Sequence, residues 1–298
     1  MLQIAAGLSV LGVSSAAPRV PQWRWQGSAL GAVASLDLRH TDRARATRLV
    51  QAAVTEIARL EAIFSLQRTD SALSRLNRDG RLDHPPLELV AVLDTAAMLS
   101  KLSGGAFDVT VQPLWRLHAG AAVQGARPSD RLIERTLARV GWQSVDACSR
   151  LITFERPGMA VTLNGIAQGY ITDRVTELLR DAGLDDLFVN LGEQRALTGR
   201  PAGRPWRVAT PAGTVALADR ALAVSEAQGS DGLPNLISPV SGRPVPEVRQ
   251  VVVTAPSAQL ADAASTALAV SGPRDARELS ERLSSLGVAV VESIARDA

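Results

Sequence analysis

Two oxygen-bearing side chains, Asp262 and Thr266, stand four residues apart in a run with helical periodicity. At that spacing both oxygens point to one face of a helix. A carboxylate and a hydroxyl so placed can hold Mg2+, which takes oxygen ligands and keeps positions open for phosphate. Each also has an ordinary structural use. Asp near a helix start complements the macrodipole, and Thr can bond back to its own helix. A second stretch bears on the same chemistry. Thr162-Leu163-Asn164-Gly165-Ile166-Ala167-Gln168-Gly169-Tyr170 follows an apolar, strand-like run from Met159 to Leu163 and leads into a helical run from Ile171. Glycines at such a joint let another group approach the main chain. The first amides of the following helix attract anions. The pattern suits a phosphate or pyrophosphate seat, although a tight strand-to-helix turn has the same composition. Asp108 is a third candidate, alone amid the apolar stretch Ala106 to Trp115. A carboxylate there needs a partner if buried, and its commoner use is as a turn or cap.

Composition narrows the chemistry. A chain of 298 residues makes one large domain or two intimate ones with a substantial core. The net charge of +2 and the lack of a basic cluster exclude a nucleic-acid footprint. The single cysteine, Cys148, rules out an intramolecular disulfide and a cysteine metal cluster. His40, His84 and His118 are scattered without ligand spacing, so a metal here should be a hard cation on oxygen ligands. At the N-terminus, Leu2 to Val13 is apolar or small, and Ser14-Ser15-Ala16 resembles a cleavage site. Residues 1–17 therefore read as an export signal that lacks its charged leader, with a twin-arginine leader and a periplasmic address as the expectation. A buried N-terminal helix and a cytoplasmic address are the alternative. Residues 18–298 form the working domain.

The elements that must position these residues follow from periodicity. Strands are expected around Gly31, between Trp23 and Leu38, followed by a long amphipathic helix through Leu49, Ile57 and Phe64. A short helical turn spans Ser71 to Leu76. Leu87 to Leu102 reads as a helix stopped by Gly104 and Gly105. Ala106 to Trp115 reads as extended, Ala119 to Pro128 as a small-residue loop, and Ser129 to Val140 as a short helix. Strands follow at Leu151 to Phe154 and Met159 to Leu163, and a helix spans Ile171 to Ala182. Further strands are expected at Leu187 to Gly192, Trp206 to Ala209, Thr214 to Leu217, Ala221 to Ser225 and Val248 to Thr254. Helices Ala258 to Val270 and Asp275 to Leu286 precede a last strand, Val288 to Val291. Strands in runs with helices between the runs favour an α+β fold.

Read together, six blocks carry a resemblance. They are Ser71-x-Leu73-x-x-Leu76-Asn77; Gly104-Gly105-x-Phe107-Asp108-x-Thr110-Val111-x-Pro113-Leu114; Gly165-Ile166-Ala167-x-Gly169-Tyr170; Val189-Asn190-Leu191-Gly192; Pro239-x-x-Gly242-x-Pro244; and Ala261-Asp262-Ala263-x-x-Thr266-Ala267. In this order they resemble the FAD:protein FMN transferase (ApbE) family, over roughly Leu30 to Val291. The resemblance implies a mainly antiparallel β core flanked by helices, binding FAD and Mg2+. It implies cleavage of FAD at its pyrophosphate and transfer of FMN to a threonine of a target flavoprotein, often a membrane electron-transfer subunit, with release of AMP. By motif position, Mg2+ is held by the Gly165 carbonyl, Asp262 and Thr266. Ala106, Phe107 and Asp108 line the FAD site, Thr162 and Gln168 flank the pyrophosphate turn, and Leu30, Gln67 and Leu236 lie near the flavin.

The chain also departs from the family pattern. The His-Ile-x-x-Pro block reads Asn235-Leu236-Ile237-Ser238-Pro239, and the family histidine is expected to help deprotonate the attacking threonine. Asn cannot act as a base near neutral pH. An Asp and a Lys beside the glycine motif are Thr162 and Gln168, and an aromatic near the flavin is Gln67. The second Gly and the Asp of the Asn-Leu-Gly-Gly-Asp block are Glu193 and Gln194. Asp108, Glu226 or the metal-bound phosphate are the groups left to take the proton. The alternative to transfer is a FAD hydrolase, or a flavin-binding maturation partner that has lost the transfer step.

Overall fold

The computed structural model describes residues 22–39, 42–198, 205–210, 213–227, 234–245 and 249–295. The expected export signal, residues 1–17, and Val248 at the start of an expected strand lie outside them. Among the described residues, no helix is long and apolar enough to cross a membrane.

In chain order the elements are β1 (Gln22–Ala29), β2 (Ala32–Arg39), α1 (Arg43–Phe64), α2 (Ala72–Asp79), β3 (Arg81–Asp83) and α3 (Leu87–Leu102). Then come α4 (Gln112–Val123), α5 (Asp130–Leu137), β4 (Val145–Ala147), β5 (Leu151–Phe154), α6 (Ala167–Asp181), β6 (Asp186–Asn190) and β7 (Gln194–Thr198). The chain continues through β8 (Trp206–Thr210), β9 (Gly213–Leu217), β10 (Arg220–Glu226), β11 (Arg249–Ala255), α7 (Ala258–Val270), α8 (Pro273–Ser284) and β12 (Ala289–Ala295).

Seven strands form one antiparallel sheet in the order β1-β2-β6-β7-β10-β11-β12. The α+β expectation therefore holds. The β1–β2 hairpin turns on Leu30 and Gly31, both in the left-handed region at φ 48° and 84°. Such a pair matches the twist of the flanking strands. Helices α1, α6 and α7 cover one face of the sheet, where Leu36, Leu38, Leu60, Ile171, Val175, Val189 and Val253 share one core. The β8–β9 hairpin covers part of the other face. There Trp206 stacks on Phe188 at 5.5 Å between ring centres.

Helix α7 is the element on which the site depends. Its buried side is built from Ala261, Ala264, Ala267 and other small residues, so it lies close to both the sheet and α6. Asp173 of α6 accepts the α7 amides of Ala258 at 2.8 Å and Gln259 at 2.9 Å. It also pairs with Arg195 of β7. Two amides that the helix itself cannot satisfy are thus tied to the neighbouring helix.

Four expectations need correction. Ala106 to Trp115 is not extended. A 3-10 turn at Val109–Val111 runs into α4, with Pro113 in the helix's first turn, where its missing N–H costs nothing. The expected loop from Ala119 therefore starts inside α4. Met159 to Leu163 forms no strand, because a side chain replaces the strand partner. Asn77 donates to the Val161 carbonyl at 2.8 Å and accepts the Val161 N–H at 2.7 Å. Helix α6 begins at Ala167, four residues before the expected Ile171, so Gln168 and Gly169 belong to its first turn. Strand β7 was not anticipated at all.

Candidate functional site

One cavity of about 350 Å³ lies between α4, the segment 162–168, the ends of β7 and β10, the loop at 234–239 and α7. Every residue assigned from the sequence to the FAD or metal site lines it. Leu30, Gln67, Ala106, Phe107 and Asp108 are there, as are Thr162, Gly165, Gln168, Asn235, Leu236, Asp262 and Thr266. They come from six separate stretches of the chain, so the fold and not local sequence brings them together.

The α6–α7 contact fixes Asp262. Gly169 has no room for a side chain: a Cβ there would lie 2.3 Å from the carbonyl oxygen of Ala258. That close approach lets the Gly169 N–H donate to Asp262 Oδ2 at 3.1 Å. The amide of Gly169 is therefore taken by a carboxylate, and the helix start offers fewer open donors than the motif suggested. Thr266 lies one turn beyond Asp262. Its Oγ1 is 3.2 Å from Ser225 Oγ, and Ser225 is also 2.7 Å from Ser265 Oγ. Gly165 closes the group, since a Cβ on it would stand 2.8 Å from Thr266 Oγ1.

This donor set fits Mg2+. A main-chain carbonyl at Gly165, a carboxylate and a hydroxyl are all hard oxygens. Burial pushes the Asp262 carboxyl up to about 8; the Gly169 hydrogen bond opposes that, and the charge of Asp173 adds to it. A bound cation would reverse the effect. Glu193, 7% exposed, is buried beside the same group, and its Oε2 has no hydrogen-bond partner among the described residues. Burial raises its carboxyl well above the usual range. The charge of Asp262 raises it further, and the Val224 backbone lowers it. Four carboxylates line the cavity (Asp108, Glu193, Glu226 and Asp262), and Arg116 is the one cationic side chain there among the described residues. A phosphate-bearing ligand entering such a place calls for a cation. Among the described residues no three His, Cys, Asp or Glu side chains gather around one point. A cation here would need carbonyl and hydroxyl oxygens besides carboxylate.

Asp108 has a different job. Its Oδ1 accepts from Thr110 N at 2.8 Å and Thr110 Oγ1 at 2.6 Å, and its Oδ2 accepts from Trp142 N at 3.0 Å. Burial raises its carboxyl, and these hydrogen bonds oppose the rise. It is the cap of the turn leading into α4, and its oxygens are occupied by main-chain and hydroxyl donors. Phe107 N–H is likewise held, by Ser103 Oγ at 3.0 Å.

The loop bearing Asn235 and Leu236 is pinned from two sides. The Ala227 carbonyl accepts from Asn235 N at 2.9 Å and Leu236 N at 3.4 Å. Trp115 Nε1 donates to the Pro234 carbonyl at 3.1 Å, and His118 Nε2 lies 2.8 Å from the Gly242 carbonyl oxygen. Sequence reasoning missed Trp115 because it read the stretch ending there as extended, and it passed over Arg116, the next residue. The signal that could have found them is Pro113 followed by apolar residues at helical spacing. Gln67 is exposed, and the aromatic surface absent there is supplied to the cavity by Phe64, Phe107 and Trp115. Leu30 is held by its N–H, which donates to Glu61 Oε1 at 2.7 Å.

Comparison with known proteins gives the family. The chain is 27% identical over 288 residues to the FAD:protein FMN transferase of Escherichia coli (strain K12), covering 86% of this chain and 80% of that protein. It is 29% identical over 286 residues to the protein of that name from Salmonella typhimurium (strain LT2), covering 86% and 81%. Its fold superposes on the apo form of the Pseudomonas stutzeri flavinyl transferase ApbE with a TM-score of 0.80 at 26% identity, covering 91% of this chain and 92% of that one. The ApbE family model matches residues 30–290, nearly the whole described chain, and the protein belongs to the ApbE family.

Proposed function

We propose that this chain is a Mg2+-dependent FAD:protein FMN transferase. The observation that carries the reading is the convergence of Gly165, Asp262 and Thr266 on the wall of one cavity that also holds the expected flavin-side residues. The threonine hydroxyl of an acceptor flavoprotein attacks the phosphorus of the FMN half. A new O–P bond forms, the pyrophosphate P–O bond breaks, AMP leaves with the bridging oxygen, and the hydroxyl proton goes to a base. Phosphoryl transfer of this kind is mostly positioning and charge stabilisation. When bound, the cation supplies neutralisation of phosphate charge.

The chain's own residues supply the rest. Phe107, Trp115 and Leu236 give apolar and aromatic walls for the flavin. Arg116 offers the guanidinium for a phosphate oxygen. Glu226 takes the proton. It ends β10 on the cavity wall, next to Ala227, whose carbonyl holds the Asn235 main chain. Asp108 is excluded from that role by its three donors. The acceptor is a flavoprotein presenting a threonine, with a membrane electron-transfer subunit as the expected type, and the working address is periplasmic.

The test is incubation of the full chain with FAD, Mg2+ and a threonine-bearing acceptor domain. Covalent flavin on the acceptor is the expected product. Asn235 in the place of the family histidine favours one second reading, FAD hydrolysis. AMP formed without covalent flavin would establish it and overturn transfer.

A further inference from the structure

Glu193 stands where the family pattern has a glycine, and three contacts fix its place. Its carbonyl accepts from Leu191 N at 3.0 Å and from Thr172 Oγ1 at 3.4 Å. Thr172 lies one turn beyond Gly169, the residue bonded to Asp262. The preceding residue, Gly192, is so close to the first turn of α6 that a Cβ on it would lie 2.8 Å from Gln168 Nε2. On the strand side, the Glu193 carboxylate meets the backbone of Val224, and the next residue, Ser225, touches Thr266 Oγ1 at 3.2 Å. Glu193 thus lines the same cavity as Gly165, Asp262 and Thr266. Its side chain is buried there with Oε2 lacking any donor among the described residues. An unpaired buried carboxylate is costly, and a second one beside it more so. A cation in the cavity that both line would offset that cost.

We propose that Glu193 is a further ligand of the divalent cation, so that this chain binds Mg2+ through two carboxylates and does so before FAD arrives. The inference rests on the Mg2+ reading of the site given above. Mg2+ takes six oxygens. Glu193 with Gly165, Asp262 and Thr266 supplies four, which leaves two for phosphate. The extra negative charge strengthens cation binding to the empty protein, because affinity at such sites follows the number of charged ligands.

The experiment titrates Mn2+ into the full chain without FAD, follows the loss of the free Mn2+ resonance, and records melting temperatures with and without Mg2+. Wild type is expected to show one saturable site. Glu193→Gln is expected to weaken it by about tenfold or more. In the metal-free protein the same variant melts no lower than wild type, because the cost of burying an unpartnered carboxyl is gone, while its Mg2+-induced rise shrinks. A residue needed only for packing would lower both melting temperatures and leave the rise intact, which overturns the proposal. Unchanged Mn2+ affinity in Glu193→Gln, with binding lost in Asp262→Asn, also overturns it and leaves the function reading standing. Binding unaffected by Asp262→Asn, even with FAD present, removes the metal site itself and both readings with it. Should Glu193→Gln fail to fold, Glu193→Asp keeps the charge on a shorter arm. Reduced affinity there supports the proposal, and unchanged affinity overturns it.

Discussion

The N–H of Gly169 donates to Asp262 Oδ2 at 3.1 Å, joining the first turn of α6 to the first half of α7. One glycine thereby sets both the helix spacing and the orientation of a site carboxylate. Gly169→Ala would place a methyl 2.3 Å from the Ala258 carbonyl oxygen, a main-chain atom that cannot swing aside. The helices must separate, at a cost of about 1–3 kcal/mol. The expected result is a lower urea midpoint together with weaker Mg2+ binding. Lost stability with unchanged Mg2+ affinity would show that Asp262 is held by something else.

The buried carboxyl of Asp262 makes the metal-free protein sensitive to pH. Its folded value of about 8 lies above the unfolded value of about 3.9. A group shifted upward stabilises the fold fully below its unfolded pKa, and that contribution is lost as pH rises through the folded one. In chelator, the melting temperature should therefore fall between about pH 4 and about pH 8. Asp262→Asn should flatten the fall, and saturating Mg2+ should remove it from wild type. In FAD turnover, Asp262→Ala should abolish the Mg2+-dependent rate. Full turnover in that variant would exclude the carboxylate as a ligand.

Much of this was legible in the sequence, and the reasons differ by element. Helix α7 was found at its observed bounds because a serine cap, an alanine-rich interior and a glycine after its end all agree. The Asp262–Thr266 pair follows directly from it. By contrast, Met159 to Leu163 carries strand composition without a strand, because Asn77, far away in sequence, occupies the Val161 main-chain groups. Period and propensity cannot show a partner that is a side chain. The burial of Glu193 was invisible for a similar reason: it depends on β7 lying beside β10 and on the Gly192–Gln168 contact. Asp108 read as an anomaly until its donors, Thr110 and Trp142, were in place.

The two carboxylates nearest the question of the base should separate cleanly. Glu226→Gln is expected to lower the transfer rate by about 10²–10⁴-fold with FAD affinity retained. Adding Asn235→His to that variant restores an imidazole at the family position and should recover part of the rate, with a new dependence on pH near the histidine range. Asp108→Asn is expected to act on stability instead, since it disturbs the cap of the turn into α4. A melting temperature unchanged in Asp108→Asn, with transfer abolished, would reverse the assignment of the two residues.

Arg116 offers a last test of how the cavity receives an anion. It is exposed on α4 at the cavity wall, among four carboxylates, and no other cationic side chain lines the space among the described residues. A charge-assisted hydrogen bond to a phosphate oxygen is worth about 1.5–3 kcal/mol. Arg116→Ala should therefore weaken FAD binding by about 10–100-fold, and AMP binding by a similar factor, while riboflavin, which carries no phosphate, binds as before. Added salt should weaken FAD binding to wild type more than to the variant, because the screened attraction is absent in the latter. Equal loss of riboflavin would instead point to α4 packing through Trp115, and unchanged FAD affinity would leave the cation as the sole phosphate partner.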